Sequence, residues 1–278
     1  MDTSLSLTRG TAAPVPATPV AGAGVVRIAD DKAMLRAAAD LTRDLVKPRP
    51  SVYWGDLIAS VALGYGALVV AATSGSTAVV VVAAIVSVLG LYRGLSFIHE
   101  VSHMKHASVP NFRLGWNILV GVPMMTPSFM YEGVHNLHHA KTRYGTVEDP
   151  EYLPLALMKP WTLPLFIVVS ALAPIALLIR FAILSPLSLL SPKLRTMVVE
   201  RYSALAINPQ FRRRAPEGEA KAYWNRLEVA ASLWAITLIG ITVAGVLPLR
   251  AFLTILGVAS AFAVLNQVRT LVAHLWEN

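Results

Sequence analysis

Six of the seven histidines fall in two short stretches, His99-Glu-Val-Ser-His103-Met-Lys-His106 and His135-Asn-Leu-His138-His139. On a helix, residues three, four and seven apart share a face, so each stretch can turn its imidazoles in one direction. Imidazole is a borderline ligand that suits iron, zinc, copper and nickel. A lone histidine at a membrane boundary is more often a hydrogen-bonding group, and that plainer reading applies to His106 and to His274 taken singly. Two dense clusters in a chain poor in polar residues are different. Ionisable groups beside apolar spans are unfavourable unless they do something there, and the pattern predicts a metal site.

The elements that must position these histidines are read from composition. The chain is 55% hydrophobic and only 14% charged, against about 25% charged in an ordinary soluble domain. Too few charged groups remain to coat a soluble surface, so an integral membrane protein is expected. The net charge of +8 then reads as the excess of Lys and Arg that flanks membrane spans on the cytoplasmic side. Nucleic-acid binding, the other reading of a basic chain, is set aside because the basic residues flank apolar runs and are not interleaved with aromatics. There is no cysteine, which excludes disulfides, thiolate zinc sites and Cys-ligated iron–sulfur clusters.

Residues 1–25, rich in Ala, Pro, Thr and Gly, read as a disordered tail; prolines at 14, 16 and 19 argue against a signal peptide. Over Ile28–Leu45, Met34, Leu35, Leu41 and Leu45 recur at helical spacing and predict an amphipathic helix, and Tyr53 and Trp54 follow as interfacial anchors. Residues 26–55 thus form a juxtamembrane segment, and 56–278 the membrane domain. The first span is expected at about Asp56–Thr73 and the second at about Thr77–Phe97, joined by Ser74-Gly75-Ser76 as a hairpin. Leu114–Phe129 is too short and too rich in proline to cross. Trp161–Leu190 is apolar but broken by three prolines and Arg180, and a single crossing there would put the basic stretch 186–226 outside. It is therefore expected to be a re-entrant or interfacial helical pair. A last hairpin covers about Leu227–Val246 and Arg250–Val272. The overall expectation is an all-α integral membrane fold of two transmembrane hairpins, with every histidine on the cytoplasmic side.

Two chemistries compete for these residues. His99-Glu100-Val-Ser-His103 fits the zinc-metalloprotease pattern H-E-x-x-H, with Glu100 as general base. One zinc takes three protein ligands, so that reading leaves most of the second cluster without a role. An inventory of six or more histidines suits two metal ions better.

The two histidine boxes, the hairpins and the stretches Tyr131-Glu-Gly-Val-His-Asn-Leu-His-His-Ala and Thr146-Val-Glu-Asp-Pro-Glu-Tyr152 resemble the membrane fatty acid desaturase and hydroxylase superfamily, its bacterial members most closely. The resemblance covers about residues 50–278. It implies two non-haem iron ions held by histidine, O₂ as co-substrate and a fatty acyl lipid or thioester as substrate. It also implies an external electron donor of ferredoxin, rubredoxin or cytochrome b5 type, and a bacterial inner-membrane location. Residue by residue it gives His99, His103, His135, His138 and His139 as metal ligands, and His274 as a weaker match to a ligand after the last span. His106 is a possible further ligand. Glu100, Glu148 and Asp149 are candidate carboxylates behind the imidazoles. The family's third histidine box has no counterpart before Asn278. The expectation is a C-terminally truncated desaturase, with a hydroxylase or an inactive homologue as alternatives.

Overall fold

The computed structural model describes residues 32–43, 47–105, 107–152 and 158–274; the side chains of Lys32, Ala273 and His274 fall outside that description. His106 and the tail expected at 1–25 also lie outside the described residues. All regular structure among the described residues is helical. Helix α1 (Lys32–Thr42) belongs to a separate N-terminal unit. It forms within the expected amphipathic stretch, and its Met34, Leu35 and Leu41 are exposed.

The second unit begins at Pro48. Four of its helices are long and apolar enough to cross a membrane: α2 (Pro50–Thr73), α3 (Thr77–His103), α10 (Gly218–Val243) and α11 (Leu249–His274). Valines, leucines and isoleucines such as Val69, Val82, Ile85, Leu233 and Val272 lie exposed on these helices. In water such a surface would drive aggregation, whereas a bilayer supplies the apolar solvent it needs. The protein is a multi-pass membrane protein.

Helices α2 and α3 form the first hairpin and touch backbone to backbone. A Cβ added at Gly90 would sit 2.9 Å from Gly64 Cα, and one at Gly64 would meet Leu91 at 2.8 Å. Small residues are what let helices approach closely where lipid removes the hydrophobic drive to associate. At one end of the molecule, Arg250 Nη2 at the start of α11 donates to the carbonyl of Ser74 in the α2–α3 link. Both hairpins therefore turn at that end, and α3 and α11 both finish at the opposite one.

Between the hairpins the chain folds back repeatedly. The segment expected not to cross at Leu114–Phe129 becomes the short helix α4 (Phe112–Trp116), a π-helical turn (Asn117–Gly121) and a 3₁₀ turn (Ser128–Met130). Its Trp116 is fully buried against α2 and α3 and donates to the Gly94 carbonyl at 2.9 Å. Helix α5 (His135–His138) follows. The apolar stretch after it is broken as its prolines require: α6 (Thr162–Ala171) and the run through α7 (Ala173–Ile179), a π turn (Arg180–Leu184) and α8 (Ser185–Ser188) meet at 52°.

Arg180 within that π turn is buried and paired. Its Nη2 lies 2.8 Å from Glu228 of α10, and Arg195 of α9 (Pro192–Tyr202) grips the same carboxylate at 2.7 Å. Arg180 also donates to the Tyr202 carbonyl and to Ser203. A buried guanidinium is tolerable only with its donors satisfied, and here it pins α7, α9 and α10 together.

Helix ends differ from the hydropathy reading in one consistent way. Helix α2 starts at Pro50 instead of Asp56, α3 runs on to His103 instead of stopping near Phe97, and α10 starts at Gly218 instead of Leu227. Hydropathy reports the apolar stretch, while the backbone hydrogen-bond ladder continues into polar residues at no penalty. His99 and His103 therefore sit on a continuous helix.

Candidate metal centre

Helix α3 carries His99 and His103 four residues apart in its last turns, on one face. Facing them, α5 carries His135, with His139 directly after its last turn. The ring centroids of His99 and His103 are 4.6 Å apart, of His99 and His135 4.7 Å, and of His103 and His139 5.1 Å. One ligand nitrogen from each of these four residues lies within 4.8 Å of the other three. His135 is buried, whereas His99, His103 and His139 are partly open to solvent.

The arrangement fits a cation. His135 Nε2 and His139 Nε2 face each other at 2.9 Å. At that distance one ring N–H donates to the other ring's lone pair, and with both nitrogens unprotonated the two lone pairs would be placed to share one cation. Burial, and then the neighbouring His135 and His138, hold the His139 imidazole below its ordinary pKa. That favours the neutral form a metal requires. Nitrogens each about 2.1 Å from one ion, the value known for zinc, lie at most about 4.2 Å apart, so the four nitrogens, all within 4.8 Å of one another, would draw in slightly around one ion.

Further side chains orient these rings. His135 Nδ1 lies 2.5 Å from Glu151 Oε1 and 2.8 Å from the Tyr131 hydroxyl. With Nδ1–H donated to Glu151, Nε2 is left to present its lone pair to the cluster. Tyr131 stacks on the His135 ring at 4.6 Å. Burial and the Glu151 carboxylate push its phenol far above the ordinary value, so it remains a hydroxyl. His138 turns towards a different partner: its Nδ1 lies 3.0 Å from both carboxylate oxygens of the buried Asp149. Asp149 is itself fixed by the N–H groups of Gly145 and Glu151.

The carboxylates are thus partly those expected. Asp149 backs a histidine. Glu148 does not: it is exposed and lies 3.6 Å from Arg143, because the turn that aims Asp149 inward aims its neighbour outward. Glu100, also exposed, lies 3.6 Å from His99 Nδ1 and accepts from the Tyr53 hydroxyl at 3.1 Å. Tyr131 and Glu151 are the additions. Tyr131 is signalled by its place four residues before His135. Glu151 stands in the acidic Thr146–Tyr152 stretch, where the choice among three carboxylates needs the fold. Of the remaining sequence candidates, His274 closes α11, the helix that also brings Arg269 to the hollow lined by His99 and Glu100.

Residues 75–278 match the family model described as fatty acid desaturase. The chain belongs to that family. This desaturase-family chain is also similar to a curated protein, the ceramide hydroxylase of Caulobacter vibrioides (strain NA1000 / CB15N). The two are 48% identical over 254 residues, covering 91% of this chain and 72% of the relative. No solved structure matches significantly. Family membership makes the protein of oxidoreductase type, with lipid as its class of substrate. The protease reading loses its ground, since the second histidine cluster joins the first.

The desaturase-family fold also forms a half-open cavity of about 640 Å³ between α2, α3, α7, α10 and α11, lined mainly by apolar residues such as Leu68, Leu91, Leu177, Leu238 and Ile255. That volume is in the range of small-molecule sites. Along α11 the lining runs from Ile255 to Gln267, about 18 Å at the helical rise. One boundary of the cavity adjoins the metal centre. Met130, which lines it, precedes Tyr131, and its carbonyl accepts from Leu205 N–H at 2.9 Å; Ile207 of the lining donates to Pro150 beside Asp149 and Glu151.

Proposed function

We propose that the protein hydroxylates a ceramide-type lipid at a histidine-ligated diiron centre, using O₂ and electrons from an external donor. The observation that carries this reading is the gathering of four imidazoles next to an apolar cavity of about 640 Å³. The named activity of the 48% identical relative favours hydroxylation over desaturation.

His99, His103, His135 and His139 would hold one ion. His138 and His274 would serve a second, with His106 a further candidate. Bound iron supplies the redox chemistry that lets O₂ react with an unactivated C–H bond. In the net reaction one oxygen atom enters the C–H bond and the other leaves as water. Two electrons and two protons are taken up, the electrons coming from a ferredoxin, rubredoxin or cytochrome b5-type donor. The chain's own residues bind and orient. The cavity walls fix which carbon lies nearest the imidazoles, Glu151 and Tyr131 keep His135 in one tautomer, and the exposed sides of His99 and His103 leave the aqueous face open to the donor.

The site end of the protein is taken to be cytoplasmic, in a bacterial inner membrane. Arg213, from the basic stretch between α9 and α10, donates to the Glu132 carbonyl next to Tyr131 at 3.0 Å. The positive segment therefore lies at the same end as the histidines, as positive-inside topology requires.

Desaturation is the second reading, favoured by the family match over residues 75–278. It would remove two hydrogens from adjacent carbons with both oxygen atoms leaving as water. Mass spectrometry of lipids from a host expressing the protein separates the two, since hydroxylation adds one oxygen atom and desaturation removes two hydrogens. Metal analysis of the detergent-purified protein should find iron, and zinc alone would overturn the diiron assignment.

A further inference from the structure

Glu132 follows Tyr131 directly and precedes His135 by three residues. It is held through both its side chain and its backbone. Arg113 of α4 meets the carboxylate with two nitrogens, Nε donating to Oε1 at 2.6 Å and Nη2 to Oε2. Arg213 donates to the Glu132 carbonyl at 3.0 Å. Both cations are themselves fixed. The guanidinium carbon of Arg113 lies 3.6 Å from the centre of the Tyr223 ring, and that of Arg213 lies 4.3 Å from the Trp224 ring. Arg213 also donates to the Ser203 carbonyl at 2.6 Å. A forked guanidinium–carboxylate pair sets direction as well as distance, and stacking on an aromatic face restrains the fork further.

The two grips come from different parts of the fold. Helix α4 is fastened to α3, because Trp116 donates to the Gly94 carbonyl at 2.9 Å. Arg213 lies between α9 and α10, and its ring partner Trp224 is on α10. At Glu132 the helix that carries His99 and His103 and the region around α10 therefore both reach the backbone that carries His135. That backbone needs an outside reference. His135 stands on a helix of four residues, too short to hold a direction alone. Tyr131 and Glu151 orient the His135 ring, but they belong to the same stretch of chain as His135. They fix the ring within the stretch and leave open where the stretch stands relative to α3. The Arg113–Glu132 pair supplies that reference.

We infer that Glu132 is a positioning residue: clamped by Arg113 and Arg213, it sets how far His135 and His139 stand from His99 and His103. This rests on the reading of the four imidazoles as a metal site.

The test is a Co²⁺ titration of the metal-free full chain in lipid nanodiscs. Affinity and coordination geometry are read from the ligand-field absorption of the bound ion, and stability from the unfolding temperature without metal. Glu132→Gln keeps the side chain's size and removes its charge. It should weaken Co²⁺ binding about tenfold, the lower end of what groups supporting metal ligands contribute, and shift the absorption bands. Arg113→Gln should do the same, and Arg113→Lys, which keeps the charge without the fork, should fall between. The double variant Glu132→Gln with Arg113→Gln should be no weaker than either single one, since both break one interaction. Additive losses would show two separate effects and overturn the clamp. Arg195→Gln serves as control, because it breaks a different pair, with Glu228. It should lower the unfolding temperature and leave Co²⁺ affinity and bands as in the wild type. If it weakened Co²⁺ binding as much as Glu132→Gln, general loss of stability would explain both and the positioning role would fail. Wild-type affinity and bands in Glu132→Gln would also overturn it, with the hydroxylase reading left standing. A wild type that binds no Co²⁺ would instead overturn the reading of the four imidazoles as a metal site.

Discussion

The two histidine pairs reach the same point by different means. His99 and His103 ride on the 27-residue helix α3, and their geometry comes from the helical repeat. Their surroundings are sparse, with exposed Glu100 at 3.6 Å from His99 as the nearest carboxylate. His135 and His139 stand on and just after a helix of four residues, too short to define a direction. Here side chains replace the missing backbone. Glu151 and Tyr131 hold His135, and Asp149 holds His138. A long element positions its ligands by itself, whereas a short one needs a second layer of hydrogen bonds to do so.

The contrast can be broken at its strongest point first. His135→Ala removes the imidazole shared by the most ring contacts, and should abolish oxidised lipid product together with most bound iron, measured by mass spectrometry and metal analysis. Next in size is Asp149→Ala. It leaves buried His138 and the N–H groups of Gly145 and Glu151 without their acceptor, so a loss of about 1–3 kcal/mol is expected, seen as a lower unfolding temperature. Glu151→Gln preserves shape but withdraws the charged acceptor from His135, and should lower iron affinity or turnover about 10–100-fold. Tyr131→Phe removes one hydroxyl and keeps the stacked ring, so a smaller fall, about tenfold or less, is expected in the same assay. The smallest effect belongs to the α3 side. Glu100→Gln should change turnover less than about threefold, because exposed ion pairs contribute little. If Glu100→Gln matched Glu151→Gln, the two halves would be equally dependent on carboxylates and the contrast would fail.

Much of this was legible in the sequence for the same reason. His99 and His103 are readable because a helix converts spacing into direction, and the hairpins are readable because twenty apolar residues have few other uses. The break at 161–190 could be read from three prolines and Arg180, although only the fold reveals Glu228 and Arg195 as the partners that make Arg180 tolerable. The second box was harder. Its imidazoles are obvious as residue types, but irregular backbone aims them, and no periodicity distinguishes Glu148, facing Arg143, from Asp149 and Glu151, facing histidines.

The contact between Gly64 and Gly90 has a mechanical side. From Gly90 to His103 α3 is an unbroken rod of about 20 Å, and the crossing with α2 acts as its fulcrum. A methyl group at either glycine would have to pry the helices apart. A tilt of only about 3° at the crossing would swing His103 by about 1 Å, given that length. Displacements of that size in a reacting geometry can slow a reaction about a hundredfold. Two glycines buried where α2 crosses α3, belonging to neither the histidine cluster nor the cavity lining, thus set the aim of the histidine-bearing end of α3.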